Sequence, residues 1–382
     1  MARRLLIIVH EALFFTTHRL PVGLAMRARG WEVHVAAPAD AEMAALLKQH
    51  GMTLHPIPLA RGGQNPLAEL RLVWALFRLI RRLDPLLVHH VSLKPVIWGG
   101  MASRLARVPA AIHAITGLGF LFIREDAKAR LLRALIRRLY RFALRHPNSR
   151  AIFQNPDDLA LFRKFDMVRD DAWCMIRGCG IDMQAFPARP EPPDDPPVVM
   201  FPARLLGDKG VNEFVGAAEI LKREGVAARF VLVGRRDPDN PTDIGAARLE
   251  ALVAGGIVEY WGYSTDMASS LAKASLIVMP SYREGLPRGL IEAAATQRAI
   301  VTADVPGCRE VVRHEENGLL VKVRDVQATA DAIRRLLLDK GLRQRLAQRG
   351  RAIAAQEFSV ETFVAESLAA YDSVLRPLGG AV

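Results

Sequence analysis

Residues 275–292 read SLIVMPSYREGLPRGLIE: a strand-like apolar run, then a segment punctuated by glycine and proline with a glutamate at each end. The run 275–280 predicts a buried strand closing at Pro280. Pro287 suits the first turn of a helix, where its missing N–H is no loss. A helix from there turns Leu290, Ile291 and Ala294 inward. The stretch is therefore strand, loop and helix, with Glu284 in the loop at the strand's carboxyl end and Glu292 about a turn into the helix.

The same alternation runs outward in both directions. Before it come LLIIV (5–9), EVHVAA (32–37), TLHPI (53–57), LLVHHV (86–91), AAIHAI (110–115) and RAIFQ (150–154). After residue 197 the series restarts with VVMFPA (198–203), RFVLVG (229–234), IVEYWG (257–262), the run at 275–280 and AIVTA (299–303). Strands alternating with longer helical patterns predict parallel sheets covered by helices on both faces. FPARPEPPDDPP (186–197) fits neither a helix nor a central sheet and is taken as an interdomain linker. The expected fold is α/β, with two doubly wound domains, 1–185 and 198–360, facing across a cleft. A chain of 382 residues is too long for one ordinary core, which agrees. The pattern ETFVAESLAAYDSVL (361–375) predicts that the C-terminal stretch 361–382 packs back across the first domain.

Composition excludes several classes. Cys174, Cys179 and Cys308 have no CxxC spacing, which argues against a disulfide framework or a zinc site and for a reducing compartment. MARRLLIIVHEALFF resembles a signal peptide in outline. Its apolar run from Leu5 to Val9 ends at His10 and Glu11, however, and reads better as a first strand. No run reaches the ~18–20 apolar residues that span a bilayer, so a cytoplasmic location is expected. The net charge of +12 and pI of about 10.1 imply an anionic partner. The basic stretches lack aromatic interleaving and zinc-finger spacing, so no nucleic acid is expected as partner. Oligomeric state leaves no mark.

In doubly wound sheets ligands bind beyond the carboxyl ends of the strands. There the N–H groups of Gly285 and Leu286, and the helix turn beginning at Pro287, form an anion cradle by geometry and dipole. A carboxylate stands on either side of it. A nucleotide sugar asks for that pairing, because its diphosphate needs donors and cations while its hydroxyls need carboxylate acceptors. ARLLGDKG (203–210) follows the strand that opens the second domain, and its Arg204 and Lys209 can neutralise charge on a departing diphosphate. Taken singly, each segment is equally well explained as a connection with solvated charges. It is their place at one sheet edge that joins them.

ARLLGDKG, LVG (232–234), YWGYSTDM (260–267), PSYREGLPRGLIEAAATQRAIVTADVPGCREVV (280–312) and NGLLV (317–321) together resemble glycosyltransferase family 4. The resemblance implies the GT-B fold and retaining, metal-independent transfer with no cofactor beyond the nucleotide-sugar donor. In family terms Glu284 and Glu292 match the paired glutamates, and Arg204 and Lys209 match the diphosphate-binding basic pair. Gly234, Gly262, Gly285, Leu286 and Pro287 fall at donor-binding positions. Glu284 would orient the sugar and Glu292 would take the ribose hydroxyls. The acceptor would attack from the leaving-group side, with a phosphate oxygen taking its proton.

Residues 14–38, 92–122 and 153–162 resemble, more narrowly, bacterial enzymes that extend lipid-linked oligosaccharides for O-antigen, capsule or glycan assembly. That likeness implies a UDP-sugar donor and a polyprenyl-diphosphate-linked acceptor. His113, in HAITGLG, matches a cleft histidine near the donor phosphates, although a lone histidine in an apolar strand also fits a packed core. The first loop departs from the family: His10, Glu11 and FFTTHR replace its glycine pair. Phe14, Phe15, His18 and Arg19 would contact the acceptor or fix a helix beginning near Pro21. Lys94 is a further candidate on the acceptor side.

Two helical stretches are rich in arginine. In KARLLRALIRRLYRFALRH (128–146), Arg130, Arg133, Arg137, Arg141 and Arg145 share one face. Leu131, Leu132, Leu135, Leu139, Phe142 and Ala143 take the other. ELRLVWALFRLIRRL (69–83) adds Arg71, Arg78, Arg81, Arg82 and Trp74. Such faces suit an anionic membrane surface or a lipid-carrier pyrophosphate, so peripheral attachment to the inner face of the cytoplasmic membrane is expected. An ordinary surface helix with solvated charges is the plain alternative. Rival functions are a nucleotide-sugar epimerase of the same architecture and a non-catalytic basic binding protein. A phosphorylase fits less well, since no pyridoxal-phosphate site is visible.

Overall fold

The computed structural model describes residues 3–60, 65–117, 127–193 and 195–379. The chain forms two units, one built from its first 180 residues together with those from Glu361 onward, the other from Ile181–Val360.

The first unit holds a parallel sheet of seven strands: β1 (Arg4–Ile8), β2 (Glu32–Ala37), β3 (Thr53–Pro56), β4 (Leu87–Val91), β5 (Ala110–Ile115), β6 (Ser149–Phe153) and β7 (Trp173–Met175). Their order is β3-β2-β1-β4-β5-β6-β7. Successive residues of β1 serve opposite faces, as the two-residue repeat of a strand requires. Leu5 and Ile7 pack with Phe15 of α1 (Ala12–His18), Val22 and Met26 of α2 (Leu20–Ala28) and Leu47 of α3 (Ala41–Gln49). Leu6 and Ile8 pack with Leu72 and Leu76 of α4 (Pro66–Leu83) and Ala102 of α5 (Gly100–Ala106). Farther along the second face, Ile115 and Phe153 meet Tyr140 of α6 (Ala127–Leu144) and Phe162 of α7 (Pro156–Lys164).

The second unit repeats the plan with β8 (Val198–Pro202), β9 (Arg229–Val233), β10 (Glu259–Gly262), β11 (Leu276–Met279), β12 (Ala299–Ala303) and β13 (Leu319–Val321), in the order β10-β9-β8-β11-β12-β13. Counted from its own first strand, this is again 3-2-1-4-5-6. In each sheet the direction of winding reverses beside the first strand, between β1 and β4 and between β8 and β11. Such a switch point splays the flanking loops apart and leaves a crevice at the strand ends. The helices of this unit include α8 (Val211–Arg223), α9 (Ala246–Ala254), α10 (Met267–Ala272), α11 (Arg288–Ala295), α12 (Cys308–Val311), α13 (Val326–Leu338) and α14 (Lys340–Glu357). The periodicity predicts eleven of these thirteen strands. β7 and β13 have three residues each and lie at sheet edges, too short to show a repeat.

The last helix, α15 (Val360–Leu375), returns to the first sheet. Phe363, Tyr371 and Val374 are buried there, and the Tyr371 hydroxyl lies 2.6 Å from Nδ1 of His89. The proline-rich segment 186–197 belongs to the second unit, and the chain changes unit earlier, at Gly180–Ile181. Two buried arginines hold it. Arg298 donates to the carbonyls of Arg189 and Pro190, and Arg343 pairs with Glu191 at 2.5 Å. A proline stretch has few N–H groups of its own, so its carbonyls are free for such donors. No helix among the described residues is long and apolar enough to cross a membrane.

Candidate functional site

The switch point of the second sheet gathers the charged residues expected there. β8 is followed by a short 3-10 turn, Gly207–Lys209, and β11 by the loop that carries Glu284. The Lys209 ammonium donates to Glu284 Oε1 at 2.6 Å, with both side chains mostly buried. The two loops can approach this closely because Gly210 has φ +83° and a bare Cα against the Pro280 carbonyl, where any Cβ would collide. Gly307, at φ +82°, does the same from the loop after β12, lying on the carbonyls of Glu284 and Gly285. The Glu284 N–H donates to the Pro306 carbonyl at 3.2 Å, fixing the backbone that presents the carboxylate.

The other glutamate is also paired. Arg288, the first residue of α11, donates through Nε to Glu292 Oε1 at 2.7 Å, one helical turn on. Burial raises the Glu292 carboxyl above its ordinary range, and Arg288 works against that rise. Pro287 is the N-cap of α11, Gly285 is buried and Leu286 packs partly into the core. EGLPRGLIE thus carries a carboxylate–cation pair at each end, with the start of a helix between them. An ion pair in such a place opens readily only to a ligand that brings both an anion for the cation and hydroxyl donors for the carboxylate.

Around this core lies a basic rim in which the expected Arg204 is joined by Arg235, Arg236 and Arg324, which the sequence motifs did not single out. Arg204 pairs with Asp237 at 2.7 Å, and both are partly exposed. Arg235, directly after the LVG of β9, stacks its guanidinium 3.7 Å over the Tyr263 ring, just past β10. Arg236 pairs with Asp243 at 2.7 Å, and Arg324 after β13 lies 4.6 Å over the Tyr282 ring. Gly234 sits against the Ala203 carbonyl, its N–H bonded to the carbonyl of Gly262. Gly262 turns at φ +76° with open space where a side chain would be. The signal for Arg235 and Arg236 was available, since two arginines directly follow a strand ending at the same sheet edge as Lys209.

In the first unit the sequence expectations fare differently. His113 is wholly buried in the middle of β5, stacked 4.8 Å from His90, and neither of its ring nitrogens has a hydrogen-bond partner. Burial holds its pKa well below the ordinary 6.5, so the ring is neutral. It therefore belongs to the packed interior of the unit. β4 and β5 lie at the centre of this sheet, and every residue of both strands is buried. The polar groups at the strand ends are instead Ser92 after β4 and Thr116 after β5, their hydroxyls 3.1 Å apart. Leu118 and Gly119, which follow them, lie outside the described residues.

Arg19 is also interior, 2% exposed between α1 and α2, donating to the His18 carbonyl and lying over Phe363. It braces α15 through Phe363. His18 stacks on Phe14 at 4.1 Å and stays partly exposed. Lys94 donates to Glu69 at 2.7 Å and to the Ala60 carbonyl at 2.8 Å.

The arginine face of α6 is largely spent inside the unit. Arg137 lies 3.5 Å over the Phe165 ring, Arg141 donates to the carbonyls of Phe165 and Asp166, and Arg145 pairs with Asp166. Arg133 is partly exposed; the side chains of Arg130 and Leu131 lie outside the described residues. The helix is rotated from the expected orientation. Tyr140, Ala143 and Leu144 are buried, while Leu135 (52%) and Phe142 (41%) face outward.

Two parallel sheets sharing the order 3-2-1-4-5-6, the first extended by β7, with a basic, carboxylate-bearing switch point in the second, have the architecture of the GT-B fold class. The family comparisons place the chain further: residues 182–353 match the family of glycosyl transferases group 1, and residues 4–155 match a glycosyl transferase 4-like family. The chain belongs to this glycosyltransferase family. It is 30% identical, over 94% of its length and 95% of the relative's, to the N,N'-diacetylbacillosaminyl-diphospho-undecaprenol alpha-1,3-N-acetylgalactosaminyltransferase of Campylobacter jejuni. It is 23% identical, over 72% of each chain, to the UDP-Gal:alpha-D-GlcNAc-diphosphoundecaprenol alpha-1,3-galactosyltransferase of Escherichia coli. Among solved structures, sucrose-phosphate synthase from Thermosynechococcus elongatus matches with a TM-score of 0.80 at 20% identity, covering 98% of this chain and all of the other. At that identity the likeness speaks for the fold.

Proposed function

We propose that the protein transfers a sugar, an N-acetylhexosamine or related hexose, from a UDP-sugar to a saccharide carried on a polyprenyl diphosphate, with retention and without a metal. The observation that carries this reading is the Lys209–Glu284 pair at the switch point, echoed one helical turn on by Arg288–Glu292. An arriving diphosphate draws Lys209 away and releases Glu284 to accept sugar hydroxyls. Ribose hydroxyls take Glu292 in the same manner. Lys209 and Arg204 then act on charge that grows as the glycosidic bond to the diphosphate breaks, so they lower the barrier as well as binding substrate. The acceptor hydroxyl approaches from the leaving-group side and passes its proton to a phosphate oxygen. The two glycosyltransferase relatives above support the acceptor class, since both names specify an undecaprenyl-diphosphate-linked saccharide.

Attachment to an anionic membrane surface is the second part of the proposal. The outward stripe of α4 carries Leu67, Leu70 and Trp74, each more than 60% exposed, beside exposed Arg71 and Arg78. With Leu135, Phe142 and exposed Arg138 of α6, these side chains combine apolar insertion with headgroup attraction. Location on the inner face of the cytoplasmic membrane follows from the acceptor.

The test is nucleotide release over a panel of UDP- and GDP-sugars with membrane extract containing polyprenyl-diphosphate saccharides. Release that requires one donor and the extract, and collapses in Glu284→Ala and Lys209→Ala, supports the assignment. An isomerised donor appearing without acceptor would establish an epimerase instead. Flotation with anionic vesicles tests the surface, and loss of flotation in Trp74→Ser is expected.

A further inference from the structure

We propose that Tyr282 and Glu213 are positioning residues that hold the Lys209 ammonium in place at the switch point, a role that rests on the assignment of Lys209 to the donor diphosphate. Tyr282 lies within the stretch 275–292 without having been given a role there, and Glu213 lies outside the motifs discussed above. The Tyr282 hydroxyl donates to Glu213 Oε1 at 2.7 Å. Glu213 stands in the first turn of α8, four residues beyond Lys209. The Tyr282 N–H donates to the Asp208 carbonyl at 2.9 Å, and the Ser281 hydroxyl reaches the Lys209 carbonyl at 3.4 Å. Two consecutive residues of the loop after β11 therefore grip the turn after β8 at three points, at Asp208, Lys209 and Glu213.

The burial pattern sets this contact apart from ordinary packing. Glu213 is 5% exposed, and its second carboxylate oxygen is enclosed with no hydrogen-bond partner. Tyr282 is covered on its ring by Arg324. Its hydroxyl pKa is pushed up to about 12, chiefly by burial and next by the bond to Glu213. A buried carboxylate with a single donor is a poor way to gain stability, because an apolar pair would hold two loops together without desolvating a charge. What an apolar pair cannot supply is direction. A hydroxyl donating to a carboxylate is short and geometrically demanding, and it fixes the Tyr282 ring against α8. The Lys209–Glu284 bond spans the same two loops. A relative shift of an ångström between them would carry the ammonium off the leaving oxygen, a displacement on the scale that costs about 10²-fold in rate.

Calorimetric titration with UDP and with GDP separates this proposal from the assignment beneath it. The variants are Tyr282→Phe, Glu213→Ala, Glu213→Gln and Lys209→Ala, with Tyr282→Phe also made in the Lys209→Ala background. Tm is recorded for each. Positioning predicts that Tyr282→Phe and Glu213→Ala each weaken nucleotide affinity about tenfold. Glu213→Gln, which keeps an acceptor for the hydroxyl, should retain most of the affinity. In the Lys209→Ala background Tyr282→Phe should add nothing, because the group it positions is gone. An equal loss in both backgrounds, or no loss in either, overturns the proposal while leaving Lys209 assigned. Unchanged affinity in Lys209→Ala, or no binding of either nucleotide by the unaltered protein, overturns the assignment itself.

Discussion

In the second sheet the charged side chains of the switch region stand beyond the strand ends: Arg204 and Lys209 follow β8, Arg235 follows β9, and Glu284 follows β11. In the first sheet, polar rings lie inside the strands, with His89 and His90 in β4 and His113 in β5. The strand order is the same in both over six strands, with β7 added at one edge of the first. A shared topology therefore fixes where a crevice forms, but not whether polar residues are used at the rim or sealed within. Nine of the ten histidines precede residue 181, so the imidazoles are concentrated in one unit, while the Lys209–Glu284 and Arg288–Glu292 pairs stand in the other.

The comparison breaks first if rim and interior prove interchangeable. Lys209→Ala or Glu284→Ala should lower kcat by about 10²–10³, the scale of losing one preorganised charge partner, with little change in Tm. The next effect concerns Arg298, a buried charge of the second unit whose donors are all bonded. Arg298 is 1% exposed and donates to five backbone carbonyls, those of Arg189, Pro190, Leu271, Ala272 and Gln297. Arg298→Met should cost roughly 3 kcal/mol in urea unfolding, because the carbonyls left behind lose a buried charged donor. Nucleotide affinity measured where the variant is folded should hold.

Acidification sharpens the contrast without mutation. In the folded first unit the imidazole of His55 titrates at about 4 and that of His90 at about 3, both lowered chiefly by burial from the ordinary 6.5. The unfolded chain therefore binds these protons at a higher pH than the folded one. Their contribution to stability is complete above about 6.5 and drains away as pH falls toward 4 and below. Hydrogen exchange at pH 7 and pH 4.5 should show protection lost in β3, β4 and β5 before β8 to β12. The smallest effect is expected at His113. His113→Leu replaces an enclosed ring lacking hydrogen bonds, so stability should stay within about 1 kcal/mol and kcat within a few-fold. A large loss of kcat at unchanged Tm would return that histidine to the reacting centre.

Much of this was legible in the residues. Strand alternation predicts the strands, and the placement of Glu284 after a strand predicts its neighbourhood with Lys209, because parallel winding brings consecutive carboxyl ends to one edge. What stayed hidden depends on which surface is covered. The parity of β5 tells which face His113 points to, yet both faces carry helices, and no periodicity reports the depth beneath them. The row of arginines on α6 was visible, but its partners Phe165 and Asp166 are separated from it in sequence, and only the fold brings them into contact. The prolines of 186–197 show that the segment forms no regular structure. They do not show which unit supplies the arginines that hold it.

The return of α15 to the first sheet has a consequence for synthesis. As the chain emerges from the ribosome, the first unit stays open until residues 361–375 appear, because Tyr371 has not yet met His89 and Phe363 has not yet covered Arg19. The second unit, made later, has all of its strands before then. The half that is translated first is thus completed after the other, by α15.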